Sequence, residues 1–143
     1  MIAYFDTSAL LKRYVAEPGS AEVLDFWDAL DGVTISAVAY AEAMSAFGRK
    51  RRDGTLSEEV FAAAVSDFKA DWETFDSMDV TARLNPLLDR LAAAHPLRGF
   101  DVIHLASALM FRERTQDDFL FASADQRLRR AAAAEGLQTF PET

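Results

Sequence analysis

The apolar positions change period along the chain, and those changes mark its elements. Ile2-Ala3-Tyr4-Phe5 is an unbroken apolar run cut off by Asp6-Thr7-Ser8. A strand buried on both faces has this pattern, because neither face requires alternation. Thr7 or Ser8 is placed to cap a helix over 9–15, which Pro18-Gly19 ends. Residues 20–30 carry Val23, Trp27 and Leu30 at helical spacing with Asp25, Asp28 and Asp31 mostly opposite. After Asp31-Gly32, Val33-Thr34-Ile35 is a second β-rich segment. The span 37–52 is helical and ends in cations, which suit the negative pole of a helix. Ser57-Glu58-Glu59 opens the clearest helix, whose stripe Phe61, Val65, Phe68, Trp72, Phe75 advances by fours and threes. A strand over 76–80 and a helix over 81–94, with Pro86 in its first turn and His95-Pro96 as its stop, come next. Helix 100–114, strand 119–122, helix 125–135 closed by Gly136, and a last strand over 137–140 complete the chain.

Strands separated by helical stretches predict an α/β fold: one domain over 1–143, with a central parallel sheet of four to five strands flanked by helices on both faces. No internal repeat, low-complexity tract or linker interrupts it. In such sheets ligands bind beyond the carboxyl ends of the strands. Asp6 ends the first strand and Asp125 follows the 119–122 strand by Ser123-Ala124, so both acids fall at that edge.

Composition narrows the chemistry. Half of the 143 residues are hydrophobic and 27% are charged, which excludes disorder. With no cysteine there is no disulfide framework, thiol nucleophile or thiolate zinc site. The absence of an early basic segment before Asp6 and of any long apolar run predicts a cytoplasmic protein without a signal peptide or membrane span. Fifteen basic against 23 acidic residues, a net −8, argue against binding nucleic acid by bulk attraction. The same balance leaves room for an acidic metal site with local cations for phosphates.

Four carboxylates interrupt apolar contexts: Asp6, Glu42, Asp101 and Asp125. Buried together they repel one another and raise each other's pKa, and a divalent cation removes both penalties. Hard oxygen donors suit magnesium or manganese. Each acid also has a simpler role open to it. Asp6 can cap the next helix, Asp101 and Asp125 can be ordinary first-turn acids, and Glu42 can pair with Arg49 or Lys50. His104 lies three residues after Asp101, among Ile103 and Leu105, and reads as a structural histidine; His95 reads as exposed. The basic run Arg49-Lys50-Arg51-Arg52 is either a phosphate contact or a solvated helix end. Lys12, Arg13, Arg127, Arg129 and Arg130 sit on helices that start beside the acids, where they can flank a substrate groove. The 61–75 stripe is core, with a share left for a groove or a dimer face.

Ile2 to Leu10, Glu42 in its Ala-rich helix, the run Phe100-Asp101-Val102-Ile103-His104-Leu105-Ala106-Ser107-Ala108, and Phe121-Ala122-Ser123-Ala124-Asp125 together resemble the successive motifs of the PIN domain family, and within it the VapC-type ribonuclease toxins. Each motif alone is weak, but four acids in this order and context are specific, and the resemblance spans nearly the whole chain. Arg98-Gly99-Phe100, leading into Asp101, is its one departure. The resemblance implies a PIN-like α/β/α sandwich and a toxin that hydrolyses RNA phosphodiesters as an endoribonuclease, using a water activated by Mg2+ or Mn2+. It assigns Asp6, Glu42, Asp101 and Asp125 as catalytic and metal-binding acids, Asp6 and Asp101 most directly. Thr7, Ser8 and Ser123 are the hydroxyls that orient them, and Lys12, Arg13, Arg49, Lys50 and Arg127 are candidate RNA contacts. It further implies a VapB-like antitoxin partner, favoured by a basic tail against the net −8, and a homodimer. Two rivals remain at this stage. A PIN-fold interaction protein that has lost its metal is opposed by the intact quartet. An aspartyl-phosphate phosphatase is opposed by Ser8 where a second Asp is usual and by the lack of lysine after Lys69.

Overall fold

The computed structural model describes residues 1–142. Five strands, β1 (Ile2–Phe5), β2 (Gly32–Ser36), β3 (Asp76–Met78), β4 (Phe119–Ala122) and β5 (Gln138–Phe140), form one all-parallel sheet in the order β3-β2-β1-β4-β5. Seven α-helices connect them: α1 (Thr7–Tyr14), α2 (Ser20–Asp28), α3 (Val38–Arg52), α4 (Glu58–Trp72), α5 (Asn85–Ala94), α6 (Gly99–Arg114) and α7 (Gln126–Ala134). The expected α/β/α sandwich is what forms.

The central strand explains the two layers. Tyr4 joins one apolar cluster with Leu84, Leu91, Leu105, Phe121 and Leu128, while Ala3 and Phe5 join a second with Leu10, Ile35, Phe47 and Phe68. Helices α1 to α4 therefore cover one face and α5 to α7 the other. The chain moves outward from β1 through β2 to β3, then returns across β1 to β4 and β5. Right-handed crossovers in opposite directions must place their helices on opposite faces. The reversal leaves a crevice at the carboxyl ends of β1 and β4, the topological switch point of the sheet. Among the described residues no helix is long and apolar enough to cross a membrane.

Several boundaries differ from the sequence expectation, each for a local reason. Helix α1 starts at Thr7 because Asp6, not Thr7 or Ser8, is its cap: Asp6 is extended at φ −78° and its carboxylate accepts the Ala9 N–H. A charged acceptor also gains from the helix dipole, and the hydroxyls of Thr7 and Ser8 are left for other partners. Strand β3 stops at Met78 because its partner strand ends at Ser36. Residues 81–94 divide into a 3-10 turn (Ala82–Leu84) capped by Thr81 and then α5, with Pro86 in the first turn, where its missing N–H costs nothing. His95 is not exposed: its Nε2 lies 2.8 Å from Glu135, which also binds Arg90 at 2.9 Å.

The stripe packs on the core: Phe68 is buried, and Phe61, Val65, Trp72 and, just past α4, Phe75 lie half-buried against the same cluster. Phe68 is fully buried and makes ring contacts with Tyr14, Tyr40, Phe47 and Trp72 at 5.4–5.7 Å. Phe68→Ala removes a ring that has no room to be replaced. It is expected to cost about 3–5 kcal/mol of stability, seen in urea denaturation as a lower midpoint with an unchanged slope.

Candidate active site

Asp6 and Asp125 meet because β1 and β4 pair. The Asp6 amide continues that ladder by donating to the Ala122 carbonyl at 3.0 Å, and Asp125 caps α7 three residues beyond β4. Asp6 is buried at 4% exposure and surrounded by donors. Its Oδ1 accepts from Ser8 Oγ at 2.7 Å and from the Ala9 N–H at 3.0 Å, and its Oδ2 accepts from Ser123 Oγ at 2.7 Å. Burial pushes the Asp6 carboxyl up, against the pull of His104 and of these donors. Ser123 Oγ also accepts the Asp125 N–H at 3.0 Å, and Ser8 Oγ accepts the Ala124 N–H at 3.0 Å. The two serines thus tie the loop after β4 to the end of β1.

Asp125 Oδ1 accepts from the N–H groups of Arg127 and Leu128 at 2.9 and 3.4 Å, while its Oδ2 has no donor among the described residues. Asp101 stands half-buried in the first turn of α6, and neither of its oxygens has such a donor. Burial raises its carboxyl from the ordinary 3.8, and the charges of Asp125, Asp6 and Glu42 raise it further, against His104. Glu42, on α3, behaves oppositely. Burial works to raise its carboxyl, but hydrogen bonds from His104 and Thr7 prevail and hold it below the usual range.

Glu42, Asp101 and Asp125 line one cavity of about 850 Å³. Asp101 and Asp125 also line a smaller one of about 350 Å³ with Arg98 and Arg127. Asp6 lines neither and lies beneath, joined to the loop by Ser123. Among the described residues, no three acidic, histidine or cysteine side chains stand close enough to hold one ion directly. The donor set still suits a hard dication. It consists of oxygens alone, three of its acids share one cavity, and at Asp101 their repulsion meets no hydrogen-bond donor among the described residues. Magnesium keeps several waters and needs only one or two direct carboxylates, so acids spaced by water fit it.

The remaining candidates separate. Thr7, Ser8 and Ser123 all donate to site acids: Thr7 Oγ1 reaches Glu42 at 2.8 Å. Lys12 binds Glu17 and the Pro18 carbonyl, Arg13 binds Asp71 and covers Trp27, and Lys50 pairs with Glu17. These three are engaged within the fold and away from the acid cavity. Arg49 is exposed at the end of α3, and Arg127 stands at the cavity itself. Arg98 was missed by the sequence reading; its spacing of three residues before Asp101 was the available signal. The partner of Glu42 was also missed. It is neither Arg49 nor Lys50 but His104, whose Nε2 lies 2.7 Å from Glu42 Oε1. His104 is buried among core residues as expected, yet its ring edge reaches the site.

Comparison with known proteins bears on the family and the fold. The family model described as PIN domain matches residues 3–134. Ribonuclease VapC45 and Ribonuclease VapC49 of two Mycobacterium tuberculosis strains are each 34% identical over 140 residues, covering 98% of this chain and 95% of theirs. Among solved structures, FitAcB from Neisseria gonorrhoeae superposes with a TM-score of 0.73 at 15% identity over 99% of this chain and 98% of that one. VapBC2 from Rickettsia felis, bound to a promoter DNA fragment, gives 0.64 at 12% identity over 92% and 93%. At these identities the superpositions speak for the fold.

The position of Asp101 has a measurable consequence. Its folded carboxyl titrates above the unfolded value, so between the two the native state holds more protons, and stability falls as pH rises through that window. In EDTA at pH 7, Asp101→Asn is expected to raise the urea midpoint. Below about pH 3, where both states are protonated, the gain should vanish. Unchanged stability at pH 7 would contradict the crowding described here.

Proposed function

Because the chain belongs to the PIN domain family and, within it, to the VapC-type ribonuclease toxins, we propose that it hydrolyses RNA phosphodiesters endonucleolytically at the Glu42–Asp101–Asp125 cavity, with Asp6 beneath. The observation that carries this reading is the convergence of four acids from distant segments on one sheet edge, where their charges act on Asp101. A stable fold retains such repulsion where a cation or a reacting group is to be met.

Asp6 and Asp101 would hold a Mg2+ or Mn2+ ion, with Glu42 and Asp125 completing the site directly or through waters. Such an ion, when bound, offsets charge on the phosphoryl oxygens and makes water a better nucleophile. The chain's own groups do the rest. Ser8, Ser123 and the Ala9 N–H hold the Asp6 carboxylate in one orientation. Among the described residues no group donates to Glu42 Oε2 or Asp125 Oδ2, and Glu42 Oε2 would accept a hydrogen bond from the attacking water and aim it. Arg98 and Arg127 flank Asp101 and Asp125 and contact the phosphates beside the cleaved bond. In-line attack forms the new bond from water oxygen to phosphorus and breaks the bond to the 3′ oxygen, which takes up a proton. The products are a 5′-phosphate and a 3′-hydroxyl.

A net charge of −8 would repel RNA at long range, so the two arginines at the cavity matter more than overall charge. The same charge suits a VapB-like antitoxin with a basic tail, and the toxin is read as a cytoplasmic homodimer.

Cleavage of a 5′-labelled single-stranded RNA in Mn2+ or Mg2+ tests the reading. EDTA should stop it and added Mn2+ restore it. Asp6→Asn and Asp101→Asn should each abolish it with an unchanged circular dichroism spectrum. Cleavage by either variant at the wild-type rate would overturn the assignment.

A further inference from the structure

Glu42 is held by two side chains, and the mechanism above uses only its outer oxygen. Both of its protein donors converge on the inner one. Thr7 Oγ1 lies 2.8 Å and His104 Nε2 2.7 Å from Oε1, and Oε2 has no donor among the described residues. Behind His104 the chain of contacts continues, with the Tyr4 hydroxyl 2.7 Å from Nδ1. Tyr4 and His104 are fully enclosed, at 0% and 2% exposure. Tyr4 is held flat against Phe121 at 5.6 Å and 3°, and meets the His104 ring edge-on at 5.9 Å. An ionised carboxylate can only accept, so the His104 Nε2–H donates to Glu42 Oε1, and in a neutral imidazole Nδ1 is then left to accept from the Tyr4 hydroxyl.

The members of this relay come from β1, α6 and α3, with α1 supplying Thr7. His104 and Asp101 lie one turn apart on α6, spaced so that both occupy one helix face. The clamp on Glu42 and Asp101, which has no donor among the described residues, thus belong to a single rigid element.

We propose that His104, oriented by Tyr4, is a positioning residue that pins Glu42 through Oε1, turns Oε2 toward the cavity and registers Glu42 against Asp101. Glutamate has three side-chain torsions, and a carboxylate held at one oxygen by two donors keeps few of its rotamers. Partners of this kind behind a ligand typically carry ten- to a hundredfold in metal affinity or activity. The inference rests on the metal-dependent ribonuclease reading.

Calorimetric titration with Mn2+ and steady-state RNA cleavage, run on the wild type, His104→Leu, His104→Gln and Tyr4→Phe with a thermal melt of each, test it. His104→Leu should weaken Mn2+ binding at least about tenfold and lower kcat, leaving KM for RNA near that of the wild type. His104→Gln keeps an N–H that can reach Glu42 and should recover most of the loss. Tyr4→Phe should fall between the two. Wild-type Mn2+ affinity in a folded His104→Leu would overturn the inference, as would a His104→Gln variant no better than leucine at equal melting temperature. Should His104→Leu not fold, Tyr4→Phe decides, since it removes one oxygen and leaves the packing: unchanged Mn2+ affinity and kcat would sink the proposal. A wild type that binds no Mn2+ overturns the metal reading and this inference together, whereas equal binding by wild type and variants overturns this inference alone.

Discussion

Like charges held at one end of a parallel sheet must be restrained by their surroundings, and the four carboxylates here differ chiefly in how far that restraint goes. Asp6 is enclosed by two serine hydroxyls and a backbone N–H, and Glu42 by a histidine and a threonine. Asp125 is half satisfied as a helix cap. Asp101 has no donor among the described residues and feels the other three charges, so its carboxyl carries the shared repulsion. Hydrogen bonds to an ionised carboxylate are among the stronger ones a protein makes, and their uneven distribution grades the acids from held to exposed. This gradient supports the proposed cation site over a reading of the four as unrelated surface acids.

The sheet order makes the arrangement attainable. Only where successive crossovers run in opposite directions can the ends of two neighbouring strands open to a crevice without a helix covering it. Asp6 and Asp125 arise from those two ends. Glu42 and Asp101 come from helices on opposite faces of the sheet, α3 and α6. Both helices bury alanines, Ala39, Ala43 and Ala46 in one and Ala106 and Ala108 in the other, which allows a close approach to the sheet. The core and the site therefore share residues: Tyr4 fills the α5–α7 layer with its ring while its hydroxyl reaches His104, which bonds Glu42.

An acidic protein that acts on a polyanion must confine its attraction to a few places. Lys12, Arg13 and Lys50 are spent on Glu17 and Asp71 within the fold, whereas Arg98 and Arg127 stand at the acids themselves. Positive charge that is local and pre-positioned orients a phosphate, while a diffuse surplus would bind RNA without register.

Most of the architecture was legible in the amino-acid order. The unbroken run before Asp6, the four-and-three stripe of α4 and the capping signal at Ser57 are local patterns, and local patterns decide which segments are strands or helices. The order of the four acids within their apolar contexts carried the family resemblance for the same reason. What could not be seen was anything that depends on which strands become neighbours. The partner of Glu42 was sought in Arg49 and Lys50 because they are near in sequence, but it is His104, brought close by the packing of α6 across β2. The cap of α1 was left open between a hydroxyl and Asp6; Asp6 takes it through the local Ala9 amide, and what the sequence could not show is that Ser123, from the far end of the chain, holds the same carboxylate. His95 was placed in water, and Glu135 draws it against the fold. Periodicity and capping act over one or two turns and are written in the sequence. The pairing of donors with buried charges is settled by desolvation once the layers have closed, and only the tertiary structure decides it.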